Sequence, residues 1–279
     1  MSTADACAVG CRFCFRADTG RDVLDVNVYA RALSRLRELG VEEVCLSGGE
    51  PTDHPEFRTL VRLTLQFGLR CSVVTAARSG RRLEALSRVT TMLSHVTVSA
   101  DTREAERLGR TGRTISSTPP VFDALGHRRA SLHVTVLDLV QQDLDELRTV
   151  LDKAEVPLEV SPLLPSKSFR FDNPRLGQDL EQIREHFGIS QELQLLVDEY
   201  RAFAGDDPPQ RLCASERLYL SADGNLRRCP YAHEGQVAVT ASRREIREGI
   251  KKMLVMPPST GIACAAICRS SREAGEDEW

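Results

Sequence analysis

Three cysteines packed between residues 7 and 14 constrain this chain more than any other feature. Cys7, Cys11 and Cys14 have the spacing C-x3-C-x2-C, which lets one short loop converge three thiolates on a single metal centre. Clustered cysteines are either cross-linked or metal-bound, and the other cysteines help to decide which. There are nine in all, an odd number, and the first six residues are too short and polar for a secretory signal. Both features argue against a disulfide scaffold and for a reducing, cytoplasmic setting where thiolates hold metal. Cys213, Cys229, Cys264 and Cys268 form a second set late in the chain. Cys45 and Cys71 stand apart in the runs Val44-Cys45-Leu46 and Cys71-Ser72-Val73-Val74, and both read as small buried hydrophobes.

A chain of 279 residues, 41% of them hydrophobic, is long enough for a sizeable core in one or two domains. No apolar run approaches the ~18 residues of a membrane span. The formal net charge of −3 gives no reason to expect nucleic acid or an anionic membrane as partner.

From residue 27 to about 162 the hydrophobic pattern switches repeatedly between helical and strand periods. Val28, Ala32, Leu33, Leu36 and Leu39 recur at helical spacing, with Gly40 as a stop. Strands are expected near residues 44, 72, 97, 134 and 160, with helices over 55–67, 83–89 and 143–154. Strands separated by helices of this length imply a parallel sheet with right-handed crossovers. The rhythm breaks at Pro162-Leu163-Leu164-Pro165. A polar helical stretch follows, and Gly205-Asp206-Asp207-Pro208-Pro209 marks a boundary. The expected division is therefore a catalytic unit over 1–165, a helical connector over 166–210 and a cysteine-bearing unit over 211–279. In the last of these, Asp223-Gly224 suits a tight hairpin turn.

Three thiolates leave one iron of a cubane cluster with an open position. A structural zinc site would want a fourth nearby ligand, and the next candidates, Cys45 and His54, belong to a later strand and helix. The incomplete set favours a catalytic cluster. The second signal is Gly48-Gly49-Glu50-Pro51, directly after a strand. Gly-Gly after a strand is by itself an ordinary turn. Here it follows the cysteine loop by one helix, so both fall at the strand C-terminal ends, where α/β enzymes assemble their sites.

Together these motifs resemble the radical S-adenosylmethionine (SAM) family, over residues 7 to about 162. The resemblance implies a partial (β/α)6 TIM-type barrel. It makes Cys7, Cys11 and Cys14 the ligands of a [4Fe-4S] cluster whose open iron is chelated by SAM. Phe13 would lie near the adenine, Gly48-Gly49-Glu50 would receive the methionyl amino group, and Thr75 and Ser99 would be strand-end contacts to SAM. The family's first strand should precede the cysteine loop, where this chain has only six residues; a vestigial first strand or a truncated start is expected.

The second set has the spacing C-x10-G-x4-C between Cys213 and Cys229, with Gly224 in the hairpin. It is similar to the auxiliary-cluster extension called twitch, or its longer relative SPASM. This implies a second [4Fe-4S] cluster held by Cys213, Cys229, Cys264 and Cys268. Four thiolates also make a closed zinc site, and a zinc-stabilised binding module is the non-enzymatic alternative.

The resemblance implies reductive cleavage of SAM to a 5′-deoxyadenosyl radical, fed by a flavodoxin- or ferredoxin-type donor, and hydrogen abstraction from substrate. Substrate-handling candidates are Glu159 and Ser161 on the last strand and Lys167 in the polar loop beyond it, near Ser166 and Arg170. Ribosomal-peptide modification often uses a leader-binding domain, for which no room is expected before Cys7. A small molecule is therefore the expected substrate, with dehydrogenation of a sugar, aminocyclitol or nucleoside in bacterial natural-product biosynthesis as the outcome. Redox-neutral decarboxylation or rearrangement of a sugar nucleoside is the alternative.

Overall fold

Each strand–helix pair in the first half of the chain adds one parallel strand beside the previous one. The computed structural model describes residues 1–3, 7, 22–76, 80–107, 114–126, 129–162, 174–188, 218–228 and 235–255. In chain order these include α1 (Val26–Glu38), β1 (Glu43–Leu46), α2 (Phe57–Gln66), β2 (Arg70–Thr75), α3 (Gly80–Ser87), β3 (His95–Asp101), α4 (Glu104–Arg107), α5 (Pro119–Leu125), β4 (Ala130–Val136), α6 (Gln141–Ala154), β5 (Leu158–Pro162) and α7 (Leu176–Phe187). The sheet order is β1-β2-β3-β4-β5, parallel throughout. A doubly wound sheet would reverse its strand order at a switch point. The consecutive order is that of a barrel wall, the expected α/β architecture.

The pleat sorts the strand residues onto two faces. Val44, Cys71, Val96, Leu132 and their alternates enter one core with Leu33, Leu60 and Leu147 of the helices. The other face is polar: Ser72, Thr97 and Ser99, Ser131 and His133, and Glu159 and Ser161 lie on it. Cys71 is buried as expected, and desolvation pushes its thiol up to about 12, so it is neutral at ordinary pH. Cys45 departs from expectation and is exposed. It alternates with the buried Val44 and Leu46, so the pleat turns it onto the polar face of the outer strand.

Residues 1–3 lie along the free edge of β1. Ser2 pairs in parallel with Ser47: the Ser47 N–H donates to the Met1 carbonyl (2.8 Å) and the Thr3 N–H to the Ser47 carbonyl (2.9 Å). These three residues stand where a sixth strand would lie, one bridge long. On their far side the Ser2 N–H donates to the Leu220 carbonyl (2.8 Å). Leu220 belongs to an antiparallel sheet of β6 (Tyr219–Leu220), β7 (Asn225–Arg227) and β8 (Val237–Ala238). Its turn is the expected one, with Gly224 at φ 80° and the Asp223 carboxylate accepting from the Asn225 N–H. Leu220, Leu226 and Ile246 join the main core, and Arg243 of the helix Arg243–Val255 meets Glu38 of α1 at 2.6 Å.

The helix α5 is absent from the sequence expectation, although its signals are present. Pro119 and Pro120 open it and Gly126, at φ 63°, closes it. No helix among the described residues is long and apolar enough to cross a membrane.

Candidate active site

The strand β1 runs through Ser47 into Gly48, whose φ of 126° lies outside the range that L side chains adopt readily. That conformation turns the chain sharply and delivers Glu50 into the protein, where it is 1% exposed. The Glu50 carboxylate collects four donors. Oε1 accepts from the Thr75 hydroxyl (2.6 Å), the Thr52 hydroxyl (2.7 Å) and the Thr52 N–H (3.2 Å). Oε2 accepts from the Ala76 N–H (2.8 Å). One carboxylate thus caps the 3-10 turn Pro51–Asp53 and ties it to the C-terminal end of β2. A second brace follows, as Asp53 receives the Arg82 guanidinium of α3 through two bonds of 2.7 Å.

Both ends of the cysteine-bearing segment are fastened to this turn. Before it, Thr3 is bonded to Ser47; after it, the Leu24 N–H donates to the Thr3 carbonyl (3.0 Å). The Leu24 carbonyl is in turn 3.0 Å from His54 Nε2. His54 Nδ1 accepts from the Glu56 N–H, which leaves Nε2 as the donor to Leu24. Residues 3, 24, 47 and 54 therefore form one hydrogen-bonded seam beside Gly48. Cys7 is half-buried. The Asp53 carboxylate is the main cause of the upward shift of Arg82.

These placements bear on each expected site residue. Gly48, Gly49, Glu50 and Thr75 come together at the C-terminal ends of β1 and β2, next to the seam. The Glu50 carboxylate and the Thr75 hydroxyl bond each other, so the surface offered by this turn is largely backbone. Ser99 lies on the polar face of β3, 7% exposed, in register with His133. Glu159, exposed, and Ser161, half-buried, follow on β5. Cys11, Cys14, Phe13, Lys167, Cys213, Cys229, Cys264 and Cys268 lie outside the described residues. No group of three metal-binding side chains gathers among the described residues, where Cys7 alone represents the N-terminal triad. The donor chemistry suits a thiolate-held cluster: an accessible Cys7 is carried by a segment whose two ends are pinned beside a backbone-rich turn. Sequence reasoning missed the pin at His54 and the Asp53–Arg82 brace, which join residues far apart in the chain.

The turn gives a direct test. Gly48→Ala should cost on the order of 1–3 kcal/mol of stability, because the backbone is held in a strained region. It should also weaken SAM binding, measured by equilibrium dialysis on the cluster-loaded protein. Gly49 is not in the left-handed region, so Gly49→Val acts on SAM affinity by crowding the backbone instead. Unchanged affinity in both variants would make the turn purely structural.

Residues 1–148 match the family model of the radical SAM superfamily. Among curated proteins, the PqqA peptide cyclase of Rhodopseudomonas palustris is 34% identical over 111 residues, which are 38% of this chain and 29% of that protein. The GTP 3′,8-cyclase of Chlorobaculum tepidum is 24% identical over 91% of this chain and 85% of its own length. Among solved structures, SuiB of Streptococcus suis bound to S-adenosylmethionine superposes with a TM-score of 0.62 at 14% identity, over 91% of this chain and 65% of that one. The chain thus spans under a third of that peptide cyclase and just under two thirds of SuiB. With a family model covering more than half of it, this chain belongs to the radical SAM superfamily.

Proposed function

We propose that this chain reductively cleaves SAM and abstracts a hydrogen atom from a small-molecule substrate, with net oxidation of a sugar, aminocyclitol or nucleoside as the outcome. The observation that carries the reading is the seam that fixes both ends of the cysteine segment beside the Gly48–Glu50 turn. Cys7, Cys11 and Cys14 would hold the cluster. When bound, the cluster and SAM supply the electron and the 5′-deoxyadenosyl radical. The chain's own part is to hold SAM against the backbone of the turn, shield the site from water and orient the substrate on the polar face of β3–β5. Phe13 and Ser99 are proposed as further contacts to SAM, and Glu159, Ser161 and Lys167 as contacts to substrate.

A peptide substrate is the second reading, favoured by the names of the PqqA peptide cyclase relatives. Those matches cover a smaller share of this chain than the match to a cyclase named for GTP, which supports the small-molecule reading. We assign the four late cysteines to a twitch-like unit whose second cluster takes up the substrate radical's electron, and a flavodoxin- or ferredoxin-type protein to delivery of the first electron.

Anaerobically purified protein should then contain about eight irons and no zinc per chain, from two four-iron clusters. Cys268→Ala should block net oxidation while SAM is still consumed and substrate deuterium still reaches 5′-deoxyadenosine. Circular dichroism shows whether the variant keeps its fold, since cluster binding and folding are coupled. Zinc in place of the second four irons, or a folded variant that makes oxidised product at the parent rate, would remove the auxiliary cluster from the account.

A further inference from the structure

The polar face of the barrel wall carries two adjacent rows in its C-terminal half. In the first, Ser99 of β3, His133 of β4 and Glu159 of β5 are register neighbours. In the second, Asp101, Thr135 and Ser161 are. Val98, Leu132 and Val134, which alternate with them on β3 and β4, are fully buried on the helix side, and Val160 of β5 is half-buried. Six consecutive hydrogen-bonding side chains make this half of the sheet face polar, able to border water or a polar ligand. The rows are not evenly wet. Asp101 and Ser99 are 1% and 7% exposed, His133 and Thr135 are half-buried, and Glu159 is exposed. The face therefore opens from an enclosed end at β3 towards β5. Within the two rows the charged side chains are two carboxylates, Asp101 and Glu159; Lys167 of the loop beyond β5 lies outside them.

We propose that His133 and Glu159 are specificity-determining residues that hold a hydroxyl- or ammonium-bearing part of the substrate and disfavour phosphorylated or otherwise anionic compounds. The proposal rests on the radical SAM reading above and deepens it. His133 occupies the middle strand, beside the expected SAM contact Ser99, and presents an imidazole that donates or accepts a hydrogen bond. Glu159 is acceptor-only when ionised, so it binds hydroxyl and ammonium groups and repels phosphate. Its place at the open end suits selection of the group that enters.

The test uses one ring in three charge states. Glucosamine, glucose and glucose 6-phosphate are titrated by ligand-observed NMR into the anaerobically reconstituted full chain saturated with SAM. Glucosamine should bind at least tenfold more tightly than glucose 6-phosphate, with glucose between them. Glu159→Gln should abolish the preference of glucosamine over glucose, and His133→Phe should weaken both at least fivefold. Neither variant should change the affinity for SAM. Equal or tighter binding of glucose 6-phosphate, no binding of any of the three, or a preference that survives both substitutions would overturn the proposal. Failure of the parent chain to bind SAM would instead defeat the radical SAM reading, and this proposal with it.

Discussion

Replacing Cys7, Cys11 and Cys14 together with Ala should leave a folded protein with about four irons instead of about eight and no 5′-deoxyadenosine from SAM. The loss should be complete, because no other described thiol is placed to substitute. Cys71 is buried with its thiol pushed up to about 12, and Cys45 is a single thiol on β1, ahead of the turn, too few to replace three ligands. Folding should survive, since the seam that anchors the segment is made by Thr3, Leu24, Ser47 and His54 and uses no cysteine. Iron analysis, circular dichroism and chromatography of the SAM reaction read the three parts separately. Continued 5′-deoxyadenosine production by the triple variant would defeat the ligand assignment.

The second large effect is expected at Glu50, through stability as much as through SAM. Glu50→Ala removes the acceptor for four donors at once: both Thr52 groups, the Thr75 hydroxyl and the Ala76 N–H. Each buried donor left unmatched costs about 1–3 kcal/mol, and partial rewetting of the cavity limits the sum to about 3–5 kcal/mol. Glu50→Gln is milder but still damaging. Its amide oxygen can replace Oε1, but its NH2 group then faces the Ala76 N–H, donor against donor. Thermal unfolding should therefore rank the parent above Glu50→Gln and Glu50→Ala last, with SAM affinity falling in the same order. A carboxylate acting only as a ligand of the SAM amino group would instead leave the unfolding temperature unchanged while abolishing SAM binding.

The strands Arg70–Thr75 and Leu158–Pro162 lie where they were expected, near residues 72 and 160, because short apolar runs there are bounded by Gly and Pro. The Gly48-Gly49-Glu50 segment was legible as a turn because it follows a strand directly. What Glu50 does there was not. Its partner Thr75 is 25 residues away, and only the pairing of β1 with β2 brings them together. Cys45 was misplaced because an apolar run of three hides its alternation; the pleat that buries Val44 and Leu46 exposes the residue between them. His133 gave no signal as a lone histidine in a strand. Its standing follows from the register that sets it between Ser99 and Glu159. A shortened first strand was expected before the cysteine loop, and the hydrogen bonds of residues 1–3 to Ser47 place them at that edge of the sheet.

The central claim is that the pinned cysteine segment and the Gly48–Glu50 turn together bring SAM to a reducible cluster. The most direct measurement is the fate of SAM on anaerobically reconstituted protein reduced with dithionite, followed by liquid chromatography and mass spectrometry. Formation of 5′-deoxyadenosine and methionine in equal amounts, dependent on both reductant and Cys7, is the predicted result. Intact SAM after incubation with protein that carries its full complement of iron would contradict the account.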